Sequence, residues 1–203
     1  EAMIIYDKAD TRRVAHLTKV HGYARAIGLL EHLDEMTQYT LEAAAIVHDI
    51  GIKVCEEKYQ SAPGHLQESE GPPIAEQMLR SLSFPQPVIE RVSFLVGHHH
   101  TYTDIQGLDY QILVESDFLV NLEEKHAEIA SVTHTYAAMF HTETGKRFCR
   151  NIFGLDRSIA LYPLSCLSSS ALNLLIGRLR PKYQSFALSS NSSAAYTACS
   201  KED

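Results

Sequence analysis

Between residues 11 and 122 the apolar side chains return every three or four positions, and that spacing dictates helices. In the first such stretch His16, Val20, Tyr23, Ala24, Ile27 and Leu30 share one face. The pattern predicts helices over about 11–32, 37–50, 70–82, 85–100 and 109–122, with weaker ones over about 125–140 and 143–153. Turn signals stand between them: Ala62-Pro63-Gly64, Gly71-Pro72-Pro73, Pro85 with Pro87, and Gly107. Nowhere do Val and Ile alternate with polar residues over the length of a strand. The expected fold is all-α, a compact multi-helix bundle whose short connections make neighbours pack side by side.

The bundle is expected to occupy residues 1–157. Residues 158–203 differ in kind, with 11 serines and no histidine. A Ser/Ala-rich C-terminal tail is expected there, partly helical or flexible, with a helix over about 168–180.

With 203 residues the chain can bury a core without disulfide staples. A net charge of −7 and the lack of a basic stripe argue against general nucleic-acid binding. No apolar run is long enough to span a membrane, and no secretory leader pattern opens the chain. Cys55, Cys149, Cys166 and Cys199 contain no Cys-x-x-Cys pair and are expected to be reduced thiols in a cytoplasmic protein. Cys55 in particular suits packing better than nucleophilic chemistry. A homo-oligomer is compatible with this composition.

The chemistry lies in the histidines. All 11 precede residue 142, and three stand together at His98, His99 and His100. His16 falls on the apolar stripe of its helix, whereas His21, Arg25, Gly28 and His32 fall on the polar side. His48 continues the stripe of Leu41, Ala44 and Ala45, with Asp49 beside it and Gly51 as the expected left-handed terminator. His99 continues Val88, Val92, Leu95 and Val96, and is flanked by His98 and a solvent-facing His100. Asp117 shares a face with Tyr110, Leu113, Val114 and Val120. Any one of these residues alone would be an ordinary hydrogen-bonded core group. Together, four helices deliver imidazoles and carboxylates into one apolar interior, where unpaired carboxylates are costly. A shared cation resolves that cost, and mixed imidazole and carboxylate ligands suit Fe, Mn, Co, Ni or Zn.

The ordered set resembles a known family. His16-x-x-Lys19-Val20-x-x-Tyr23-Ala24-x-x-Ile27, then Ala43-Ala44-Ala45-Ile46-Val47-His48-Asp49-Ile50-Gly51, then His98-His99, then Glu115-Ser116-Asp117-Phe118-Leu119 is similar to the HD domain of metal-dependent phosphohydrolases. The resemblance spans roughly residues 12 to 122. Gln67 to Ala75, with Gly97-His98-His99-His100-Thr101-Tyr102, resembles small bacterial HD hydrolases.

By that resemblance His16, His48, Asp49 and Asp117 match the metal ligands. His98 and His99 match a histidine pair that holds a second metal or the substrate phosphate. Two positions depart from the pattern. Gln67 stands where two-metal members commonly have histidine, with His65 two residues away, and Lys53 follows Gly51 only after Ile52. The implied activity is cleavage of a phosphate ester, of a nucleotide or another small phosphorylated metabolite, by metal-activated water. Asp49, His99 and Lys53 are the candidate catalytic residues. One divalent transition metal is expected, with room for a second. A di-iron HD-type oxygenase and a non-catalytic nucleotide-binding module are the alternatives. No Gly-rich phosphate loop or base-stacking aromatic pattern selects a substrate.

Overall fold

The computed structural model describes residues 1–155, and their regular structure is entirely helical. The elements are α1 (Ala2–Tyr6), α2 (Thr11–Leu30), α3 (Glu35–Val47), α4 (Gly51–Tyr59), α5 (Gly64–Ser81), α6 (Gln86–Val96), α7 (Leu108–Glu124), α8 (Ile129–Met139) and α9 (Glu143–Phe153). The segment 158–203, including the helix expected over 168–180, lies outside the described residues. Among the described residues no helix is long and apolar enough to cross a membrane.

Caps explain where the two longest early elements begin. Asp10 accepts a hydrogen bond from Arg13 N at 2.8 Å and starts α2. Asp34 accepts from the Met36 and Thr37 amides and starts α3. Each satisfies amides that a helix start otherwise leaves bare. The stripe Leu17, Val20, Ala24 and Ile27 is buried, as are Leu41, Ala44 and Ala45 of α3. Helices α2, α3 and α7 pack against one another, α6 lies on α3 and α5, and α4 lies on α5. α7 is the central element: every residue from Asp109 to Asp117 is buried. Its start is fixed by Arg91, whose Nε and Nη2 donate to the two Asp109 carboxylate oxygens at 2.8 and 2.7 Å.

Four features correct the sequence reading. Gly51 does not terminate a helix in the left-handed region; it opens α4, a helix the periodicity did not reveal. Its lack of a side chain serves a helix crossing instead, because a Cβ there would lie 2.9 Å from Gln67 O and 3.0 Å from Gly71 N. Gly28, assigned to a polar face, is buried, and a Cβ there would meet the Gln38 side chain. α5 starts at Gly64 and runs through Pro72 and Pro73, which therefore do not form a turn. Packing against both α4 and α6 carries the helix across two missing amides. α6 ends at Val96 with Gly97 as its cap, so the three consecutive histidines lie in the turn beyond it.

Candidate metal centre

Each inward-facing histidine reaches the interior by the stripe that carries it, and each has its outer nitrogen already engaged. His16 Nδ1 lies 3.1 Å from Glu124 Oε2, His48 Nδ1 is 3.0 Å from Ala45 O, and His99 Nδ1 is 2.9 Å from Val96 O. In each case the Nδ1–H must donate, because a carbonyl or carboxylate oxygen only accepts. That leaves Nε2 as the bare nitrogen, turned inward.

The three Nε2 atoms meet two carboxylates. His16 Nε2 lies 3.1 Å from Asp117 Oδ1 and 3.5 Å from Asp49 Oδ2. His48 Nε2 lies 3.5 Å from each of the same two oxygens. His99 Nε2 approaches the other oxygen, Asp49 Oδ1, at 3.3 Å. Lone pairs therefore face lone pairs, and the Nε2 atoms of His16 and His48 are buried without a hydrogen-bond partner. A cation removes the conflict. Coordination shells with bonds of about 2.1 Å have ligand–ligand edges of about 3.0–3.4 Å, close to the separations found here. The group His16, His48 and Asp49 can hold a metal ion, and so can the group Asp49, His99 and His100.

Without a metal, protons do part of this work. Burial acts to lower the His48 pKa, but the carboxylates of Asp49 and Asp117 outweigh it and raise the value to about 9. Burial likewise opposes protonation of His16, and the Asp117 carboxylate facing its Nε2 overrides it, because a protonated ring would donate there; its pKa is also raised. Asp49 moves the other way. Burial would raise its pKa, yet the His48 charge and the His99 contact bring it down to about 2. Asp117 is held well below the carboxylate range by His16 and His48 against the same burial.

The residues named from sequence divide cleanly. His16, His48, Asp49, Asp117 and His99 come together. His21 does not: it is half-buried, with Nε2 3.3 Å from Glu42 Oε2. His98 is exposed, its ring stacked on Phe94 at 4.2 Å between centroids, and it does not join the group. Lys53 is directed to α1, where Nζ donates to Tyr6 O at 2.9 Å and lies over the Tyr6 ring. Gln67 is buried, with Nε2 donating to Ala62 O at 2.7 Å, and His65 is exposed. Cys55 and Cys149 are free and buried.

His100 was expected to face solvent, but its Nε2 is buried without a partner, and its ring centroid lies 4.0 Å from that of His99. Burial and the neighbouring His99 lower its pKa to about 4, leaving a neutral imidazole near neutral pH. The turn that brings it in is tied down from two sides. Glu68 of α5 accepts from His100 N at 3.0 Å and from Thr101 Oγ1 at 2.9 Å. The Tyr110 hydroxyl sits against the carbonyls of His98 and Thr101.

Two further residues were not named from sequence. Asn121 Nδ2 donates to Asp117 Oδ1 at 2.8 Å, and Glu124 holds His16. Both lie on the stripe of Asp117, at i+4 and i+7, so helical spacing contained the signal. Compared with family models, curated proteins and solved structures, the chain has no match. The resemblance to HD-domain phosphohydrolases rests on the residues themselves.

Proposed function

We propose that the protein is a metal-dependent phosphohydrolase of the HD kind, with His16, His48, Asp49 and Asp117 as the ligands of its first metal. The observation that carries this reading is the meeting of three bare Nε2 atoms with two carboxylates, while every Nδ1 is already used as a donor. A bound divalent transition metal (Fe, Mn, Co, Ni or Zn) supplies Lewis-acid polarisation of a phosphoryl oxygen and lowers the pKa of a water.

The chain's own groups supply orientation and proton handling. Asp49 has one oxygen toward His16 and His48 and the other toward His99. The second oxygen is placed to accept a hydrogen bond from a water and aim it in line at phosphorus. His99, once doubly protonated, donates from Nε2 to a phosphoryl or leaving oxygen. Glu124, Ala45 O and Val96 O keep the three rings in the required tautomer and orientation. Lys53, engaged by Tyr6, is not assigned a step.

Asp49, His99 and His100 would hold a second ion where one binds, and His99 Nε2 would then act as a ligand in place of its role as proton donor. The same feature gives the di-iron oxygenase reading its support. The deciding experiment is metal analysis of the purified protein, followed by a panel of nucleotides and other phosphate esters with Mn²⁺, Fe²⁺, Co²⁺ or Ni²⁺. Phosphate release that disappears with chelation is expected. Oxygen uptake by the iron form, with no phosphate released under any metal, would replace hydrolysis by oxygen chemistry.

A further inference from the structure

A cleft of about 710 Å³ opens beside Asp117, between the end of α7 and α8. That volume is in the range of sites for whole organic ligands and far exceeds what one phosphate group needs. Its composition changes along its length. Asp117 and His100 mark the end at the candidate metal centre. Tyr102 and Phe118 form an aromatic wall, with ring centroids 5.2 Å apart. Lys125 and His126 line the cleft at the end of α7.

Asp117, Asn121 and Lys125 follow at intervals of four, so one helix stripe runs the length of the cleft. Eight residues of helix amount to about 12 Å of rise, and side chains lean toward the helix N-terminus. Lys125, the residue that caps α7, is therefore separated from Asp117 by roughly the length of a small organic framework and lines the same cleft. Its ammonium makes no ion pair among the described residues, not even with Glu128 on the same cleft. His126 beside it has φ +47°, a left-handed conformation that a non-glycine residue seldom adopts. Lys125 and His126 are both exposed, so the ammonium, tied to no carboxylate among the described residues, is free to meet an anion entering the cleft.

We propose that this cleft binds an organic phosphate carrying a second anionic group. The scissile phosphate would sit at the His/Asp centre, the carbon framework against Tyr102 and Phe118, and the second anion at Lys125 and His126. This inference rests on the phosphohydrolase reading for the first of those positions and adds the substrate class to it. Lys125 acts in binding alone, so its effect falls on KM.

The test uses paired probes that differ only in the second anion: adenosine 5′-monophosphate against adenosine 3′,5′-bisphosphate, and glucose 1-phosphate against glucose 1,6-bisphosphate. Each is assayed for hydrolysis and for calorimetric binding with the metal-loaded full chain, with Lys125→Met, and with Lys146→Met, a half-buried lysine of α9 outside the cleft lining, as a control. The wild type should prefer at least one bisphosphate by roughly tenfold or more, the range of one charge-assisted hydrogen bond. Lys125→Met should erase that preference through KM, and Lys146→Met should retain it. Binding of a bisphosphate that depends on Lys125, with no ester cleaved, would overturn the hydrolase reading and leave the cleft assignment standing. Equal treatment of both members of each pair by the wild type, or a preference that survives in Lys125→Met, would overturn the cleft assignment.

Discussion

His16 Nδ1 lies 3.1 Å from Glu124 Oε2, across the imidazole from the nitrogen that faces Asp117. Glu124 thereby fixes which nitrogen of His16 is bare, although α2 and α7 meet here from residues 108 positions apart. Lys19 Nζ donates to the other oxygen of Glu124 at 3.2 Å and holds the carboxylate in place. Removing such a carboxylate frees the ring to rotate and lowers its basicity. Glu124→Ala is expected to weaken metal binding by about 10–100-fold. Competitive titration against a chelator measures this, and unchanged affinity would mean that the contact is incidental.

The metal-free protein should lose stability on the alkaline side. In the unfolded chain histidine titrates near 6.5. His48 is raised to about 9 and His16 is raised as well, so the folded state holds protons that the unfolded state has released. Their contribution is complete below about pH 6.5 and is lost as pH climbs through about 9. His100, lowered to about 4, has the opposite sense, but it acts only below about pH 6.5. A bound metal needs the same Nε2 atoms unprotonated, so its contribution grows with pH where the proton's fades. Melting temperatures of chelated and Mn²⁺-loaded protein should therefore diverge from pH 6.5 to 9. A constant gap across that window would contradict the assignment of His16 and His48 as ligands.

Asp49 and His99 should separate when each is removed. Asp49→Ala deletes a ligand and the oxygen that orients the water, so hydrolysis should fall beyond the roughly 10²–10⁴ associated with one acid–base group. His99→Ala leaves His16, His48, Asp49 and Asp117 in place, and the first metal should stay bound while kcat drops. Metal stoichiometry and kcat on both variants read this out. Full activity in Asp49→Ala would end the phosphohydrolase reading, and complete loss of metal in His99→Ala would move His99 into the first metal's ligand set.

Much of this site is legible in the sequence because helical period alone decides which way a residue points. His16 rather than His21, and Asp117 among Leu113, Val114 and Val120, follow from steps of three and four. The all-α fold follows from the same steps. What escapes is set by tertiary contact. His100 turns inward because Glu68 and Tyr110 pin the turn after α6, and their partners lie 32 and 9–12 residues away. α5 continues through Pro72 and Pro73 because α4 and α6 flank it, which local proline chemistry cannot indicate. Gly51 illustrates the ambiguity best: a glycine needed for a left-handed cap and one needed for a close helix crossing are the same letter.

That distinction at Gly51 is testable. A left-handed cap would tolerate Asn at that position and resist Ala on conformational grounds. A crossing point resists both, because any Cβ meets atoms that cannot swing aside. Here those atoms are backbone, Gln67 O at 2.9 Å and Gly71 N at 3.0 Å. Gly51→Ala should therefore push α4 away from α5 and destabilise the chain by about 1–3 kcal/mol, the usual range for overpacking. Gly51 lies two residues after Asp49, and the Tyr6 hydroxyl donates to the Ile50 carbonyl between them at 3.2 Å. The displacement should consequently reach the metal centre and weaken metal affinity along with stability. Thermal melts and metal titrations on Gly51→Ala and Gly51→Asn measure both. Near-native stability in the Asn variant would restore the cap reading, and a destabilised Ala variant with undiminished metal affinity would show that the crossing and the centre are uncoupled.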